Sequence, residues 1–187
     1  MALVQSMMII LSVIVVAVPF AESQVDDQWQ QASYGIETQK ITRLHLFLHD
    51  MVSGKNPSAV KVADHSNTYN SPGYFGFVAI ADDILTEGPE PTSKAIGRAQ
   101  GLIAFASREE FAEVMSMSFV FTDGEFKGSS VSILGRNPIL QPVREMPIIG
   151  GTGSFRFARG FVVSKTHWVN VTTHDLIEEY HLTIMHY

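Results

Sequence analysis

From Lys40 onward the chain is built of short runs in which apolar and polar residues alternate one by one. In "TRLHLFLHD" (Thr42 to Asp50), Leu44, Leu46 and Leu48 share one parity, and Asp50 continues it. A period of two is the signature of a strand with one face turned to a core. Similar runs predict strands at Ile41–Asp50, Tyr74–Asp82, Ile96–Ser107, Glu113–Thr122, Gly128–Gly135, Arg144–Ile149, Phe155–His167 and Leu176–His186. Turn-rich stretches such as "SGKNPS", "HSNTYNSPG" and "TEGPEPTS" separate them, and Asp123-Gly124 is a hairpin signal. The one helix candidate is "SREEFAEVM" (Ser107 to Met115), where Ser107 and Glu110 have capping-box spacing. No internal repeat appears. Evenly spaced strands without helices predict an all-β sandwich or closed barrel. A barrel of about eight strands has room for one small apolar ligand.

The first 39 residues read differently. "MMIILSVIVVAVPF" (Met7 to Phe20), followed by the small residues Ala21 and Ser23, has the form of a cleaved signal sequence. Gln5, Ser6 and Pro19 leave that run short of the roughly 20 apolar residues a membrane span needs. The division expected is a signal peptide over 1–23, a polar arm over 24–39 and a β domain over 40–187, in a secreted, extracellular protein. The 187-residue chain carries 13 Lys and Arg against 19 Asp and Glu, net charge -6. Such a balance argues against nucleic acid and acidic membrane surfaces as partners. The chain has no Cys, so packing and not disulfides must stabilise it, and thiolate chemistry is excluded. Asn170-Val171-Thr172 is a glycosylation sequon.

Few stretches suggest chemistry. "IIGGTGSF" lacks the Lys of a phosphate-binding loop and precedes a strand pattern, so it reads as a turn. His45 and His49 are four apart, which on a strand separates them by roughly 13 Å, too far to share one metal; solvated or interface histidines are expected. No metal site and no cofactor are expected. Asp50 and Arg144 remain. A carboxyl on an apolar face has its pKa raised by desolvation and suits a general acid; Asp50 as a cap on the loop "MVSG" is the alternative. Arg144 either orients a carboxylate or phenolate, or pairs with Glu145 or another surface acid.

"FLHD", "GKNPSAV", "GPEPTSKAIGRAQG", "LGRNP", "VREMPIIGGTGSFRFARG" and the terminal "MHY" resemble the plant dirigent proteins, over about Leu44 to Tyr187. The resemblance implies an eight-stranded antiparallel β-barrel with a central apolar pocket, secretion to the apoplast, and a homo-oligomer, usually a trimer. It implies stereocontrol over phenoxy radicals or quinone methides made by an external oxidase (laccase or peroxidase), with no oxidation by the protein itself. Lignan-type phenylpropanoid products belong to that reading. Some relatives, the pterocarpan synthases, instead dehydrate a 2′-hydroxyisoflavanol through a quinone methide; a non-catalytic phenolic-binding defence protein is a third possibility. Asp50 and Arg144 match the family's pocket acid and arginine, and Leu48 would be pocket lining. Where pinoresinol-forming members carry a second acid and two tyrosines, this chain has Asn137, Ile103 and Phe105. The pocket expected is therefore apolar with a single acid, suited to dehydration or to coupling without cyclisation.

Overall fold

The computed structural model describes residues 38–187. The expected signal segment over 1–23 and most of the 24–39 arm lie outside the described residues. Among the described residues are nine strands: β1 (Lys40–Asp50), β2 (Ala59–Ala63), β3 (Val78–Thr86), β4 (Ala95–Phe105), β5 (Glu113–Phe121), β6 (Ser130–Asn137), β7 (Arg144–Thr152), β8 (Arg159–Val169) and β9 (Leu176–His186). Their order is β1-β9-β8-β7-β6-β5-β4-β3-β2, all antiparallel, and β1 also pairs with β3. That last pairing closes eight strands into a barrel, the architecture expected. The ninth, β2, shares the same edge of β3 with β1: Leu48 lies opposite Leu85, and Ala59 opposite Ala81. The edge strand is thus broken between Asp50 and Ala59.

Alternation sorts side chains to the two faces. In β5, Glu113, Met115, Met117, Phe119 and Phe121 are buried inside, while Val114, Ser116, Ser118 and Val120 face out. Leu46, Leu48, Ala81, Leu85, Val131, Ile133, Met146, Val162, Leu182 and Ile184 join them in one continuous core. One end of the barrel is plugged by aromatic rings, Phe121 and Phe126 packing on Phe155 at 5.7 and 4.7 Å between centroids. No helix of the described residues is long and apolar enough to cross a membrane.

Three sequence expectations change. No helix forms at Ser107–Met115. Ser107 Oγ does accept the Glu110 amide at 3.0 Å, but the inward alternation from Glu113 to Phe121 takes the chain into β5 and overrides the local helical signal. The second strand begins at Val78 and not Tyr74, because Tyr74 and Gly76 sit at φ of 53° and 91° in a turn. The strand after "GGTGSF" begins at Arg159, since 153–155 form a 3-10 turn and Phe157 has φ of 62°. β2 was not anticipated; it is five residues long, and only Ala59 in it is buried.

Candidate active site

The end of the barrel opposite the aromatic plug is polar. Antiparallel pairing brings there the last residues of β1, β4, β6 and β8 and the first residues of β5, β7 and β9. Inward parity then gathers Asp50, Glu113, Asn137, Arg144, Ser164 and Glu178, with Asp83 nearby on β3. Every one except Asp50 is a buried polar residue, and Asp50 is partly buried. Four carboxyls and one cation therefore face the interior, where the sequence suggested one acid.

Arg144 is 2% exposed. It pairs neither with Glu145 nor with a surface acid: its Nη2 donates to Glu178 Oε1 at 2.5 Å. Its Nε donates to Ser164 Oγ at 3.2 Å, and Nη1 to Thr166 Oγ1 at 2.9 Å and to the carbonyls of Ile139 and Gln141. Tyr180 OH donates to Glu178 Oε2 at 2.6 Å. The planar fork of a guanidinium suits such convergence, and a lysine cannot reproduce it. Arg144 is thus locked in place, and Glu178 is its counter-charge.

The other acids have no cation of their own. Burial, followed by the charges of Glu178 and Asp175, raises the Asp50 carboxyl to about 6. Burial and then Asp50 raise Asp83 to about 8, against a hydrogen bond of 2.5 Å from Ser58 Oγ. Burial also raises Glu113 to about 8, opposed by Asn137, whose Nδ2 donates to Glu113 Oε1 at 2.8 Å. For Glu178, burial pushes upward while Arg144 and then Tyr180 oppose it. One carboxylate balances one guanidinium, and burial favours the neutral form of the others, Asp83 and Glu113 more than Asp50.

Two buried acceptors in this set, Asp50 Oδ1 and Asn137 Oδ1, have no hydrogen-bond partner in the protein. Buried polar atoms are normally paired, so both are poised for a donor brought by a ligand. Asp50 does not cap the following loop. The Met51 amide donates to Ser58 Oγ at 2.9 Å, and Ser53 donates through both amide and hydroxyl to Asp175. Leu48 lies one inward position before Asp50, paired opposite Glu178, and is 4% exposed. Ile103 packs half-buried against the core. Phe105, at the end of β4, sits in an aromatic rim with Phe77 and Phe111, at 5.7 and 4.9 Å.

Asp83, Glu113 and Glu178 escaped the sequence reading. Each carries the signal that exposed Asp50, an acid within an apolar parity: Glu178 between Leu176 and Tyr180, Glu113 ahead of Met115, Asp83 between Ala81 and Leu85. Of the two histidines singled out, His49 is not solvated. It is 6% exposed and hydrogen-bonded to Thr86 Oγ1 at 2.8 Å. His45 is on the outer wall, where it meets Glu179 and His181; among the described residues this is where three metal-ligand donors converge. Asn170 begins the β8–β9 turn, its Oδ1 accepting the Thr172 amide at 2.9 Å.

The family model for dirigent-like protein matches residues 41–185. Dirigent protein 23 of Arabidopsis thaliana is 50% identical over 147 residues, 79% of each chain. Pterocarpan synthase 1 of Glycyrrhiza echinata is 47% identical over 154 residues, 82% of each. The solved structure of a pterocarpan synthase dirigent protein superposes with a TM-score of 0.76 at 47% identity, covering 82% of this chain and 89% of that one.

Proposed function

This chain belongs to the dirigent-like family, and on that premise we propose that it steers the stereochemistry of phenolic quinone methides or phenoxy radicals inside its barrel, with Asp50 as proton donor and Arg144 as the fixed cation of the site. The observation that carries this reading is the Asp50 carboxyl, buried, raised to about 6 and with Oδ1 unpartnered. A phenolic hydroxyl is a donor of the kind that Asp50 Oδ1 and Asn137 Oδ1 lack. Protonated Asp50 can in turn donate to a quinone-methide oxygen or to a departing hydroxyl. Leu48, Ile103 and Phe105 supply apolar wall, which keeps water from an electrophile that water would destroy. The oxidant, in this reading, is a separate laccase or peroxidase.

A second reading, dehydration by the protein itself, is favoured by the number of neutral acids. Loss of water from a 2′-hydroxyisoflavanol needs a proton delivered to the leaving hydroxyl as the C–O bond breaks. It also needs the phenolic proton removed as the quinone methide forms, and the Asp50 carboxylate left by the first transfer can accept it. Ring closure then releases the proton of the attacking hydroxyl and protonates the quinone-methide oxygen, so the sum is loss of one water. Pterocarpan synthase 1, at 47% identity, is a relative whose name fits this chemistry.

Secretion to the apoplast, cleavage near Gln24 and glycosylation at Asn170 are part of the proposal. So is a homo-oligomer, supported by a row of exposed outward side chains on neighbouring strands: Val60, Ile80 and Leu102, which pair in register, and Leu134 and Phe161 further round. Exposed apolar side chains on adjacent strands are what an interface between copies would cover.

The deciding experiment is incubation of the mature protein with each enantiomer of a 2′-hydroxyisoflavanol and no oxidase, read by chiral chromatography. Product formed from one enantiomer establishes the dehydrating reading. No product there, combined with enantiomeric excess in oxidase-driven phenol coupling, establishes the steering reading. Racemic product and no turnover would reject both and leave a phenolic carrier.

A further inference from the structure

The outer wall of the barrel holds a second constellation, unrelated to the interior acids. His45 on β1 lies directly opposite His181 on β9. Glu179 is two residues before His181, hence on the same outward face. Both imidazole Nε2 atoms meet one carboxylate oxygen, Glu179 Oε1, at 2.8 and 3.0 Å. The rings stack with centroids 4.3 Å apart and planes 3° from parallel. All three donor atoms lie within 4.8 Å of one another.

We propose that His45, Glu179 and His181 form a three-ligand site for a divalent transition ion of the zinc, copper or nickel class. Two imidazoles and a carboxylate suit these ions, whereas magnesium and calcium prefer all-oxygen shells. Bonds of roughly 2.0–2.2 Å place tetrahedral ligand atoms roughly 3.3 Å apart, so the two His–Glu separations need to open only slightly. The imidazoles must tilt their Nε2 atoms toward a common point. They are free to do so, because their side chains are 49% and 47% exposed. Glu179 is more enclosed, at 24%, and serves as the fixed member. In the hydrogen-bonded arrangement the protons shared with Glu179 sit on Nε2; on binding, each ring carries its proton on Nδ1 and turns the Nε2 lone pair to the ion.

The surroundings set the strength. Lys165 on β8 lies opposite Glu179, and Arg43 precedes His45 by two residues on the same face. Two nearby cations weaken the hold on a third, and the fourth coordination position opens to solvent. The geometry therefore points to a reversible, micromolar site and not to a structural ion.

The test uses the untagged mature protein titrated with zinc chloride by calorimetry at neutral pH. One ion per chain in the micromolar range is expected. His181→Ala and Glu179→Gln should each weaken binding about tenfold or more, about 1.4 kcal/mol. His65→Ala, on a surface loop, should leave it unchanged. In the unmutated protein, saturating zinc should protect His45 and His181, but not His65, from carbethoxylation mapped by mass spectrometry. Binding that survives both substitutions, equal labelling of His45 and His181 with and without zinc, or no binding up to millimolar zinc would each overturn the proposal.

Discussion

In the proposed function Asp50 is the proton donor, and its replacement separates chemistry from architecture. Asparagine keeps the shape and removes the titrating proton. Asp50→Asn should therefore fold normally, and turnover or enantiomeric excess should fall; general acid assistance is worth about a hundred- to ten-thousandfold. Unchanged activity in both assays would make the carboxylate architectural. Arg144 behaves oppositely. Its removal leaves Glu178 buried at 8% side-chain exposure without its counter-charge, so Arg144→Met should cost about 3–5 kcal/mol. The double variant Arg144→Met, Glu178→Leu should be less destabilised than Arg144→Met alone in denaturant melts; strict additivity would show that the pair is not coupled. Asp50 was legible because four inward positions of one strand stand together in the sequence. Glu178 was harder to read: it stands in the parity of Leu176, Tyr180, Leu182 and Ile184, but Ile177 and Met185 on the other parity blur the alternation. The partner that locks Arg144 lies 34 residues away, a distance no local pattern spans.

At the level of elements, the break between β1 and β2 is the device that makes the site. Both segments pair with one edge of β3, and the chain leaves that edge over 52–57, returning at Ser58, whose carbonyl accepts the Asp82 amide. There Ser58 reaches Asp83, and Asp50 and Asp83 press on each other. A continuous strand would have filled that gap with backbone. The sequence reading took the stretch as loop and missed β2, because four of its five residues are exposed and carry no inward parity. On β4 the constraint is closeness. A Cβ on Gly101 would stand 2.0 Å from the Ser116 carbonyl oxygen and 2.8 Å from Met117 Cα. Gly101→Ala must push β4 from β5, at a cost of about 1–3 kcal/mol, which at about 2–4 °C per kcal/mol lowers the melting temperature by several degrees. A melting temperature unchanged from the parent would show that the strands yield freely.

For the whole molecule, the buried acids set how stability follows pH. Asp50, Asp83 and Glu113 all have folded values above their ordinary ones. Their contribution is complete below the unfolded values of 3.8 and 4.5 and is lost as pH rises through about 6 and about 8. His49 works the other way, since burial lowers its value and favours the neutral ring, but it is one group against three. Hydrogen bonds hold Asp64, Asp82, Asp123 and Asp175 below their ordinary values, and that stability disappears in stronger acid. The melting temperature should thus peak at about pH 4 and decline toward about pH 8.5. A melting temperature that rises over that interval would mean the interior acids are already ionised in the fold. The fold class was readable from periodicity alone; closure was not, since a sandwich and a barrel share the same alternation and differ only in which strands meet at the end.

That closure has a consequence for the order in which the protein comes into being. β1, the first strand of the barrel, finds its full-length partner in β9, with Lys40 opposite His186 and Asp50 opposite Leu176. During synthesis the opening strand must therefore wait, one edge unmet, until β9 has been made. Such distant pairings are slow to form, and an unpaired edge invites association with other chains. The nascent barrel is thus kept open until its ninth strand has been made, and only then can it lock shut.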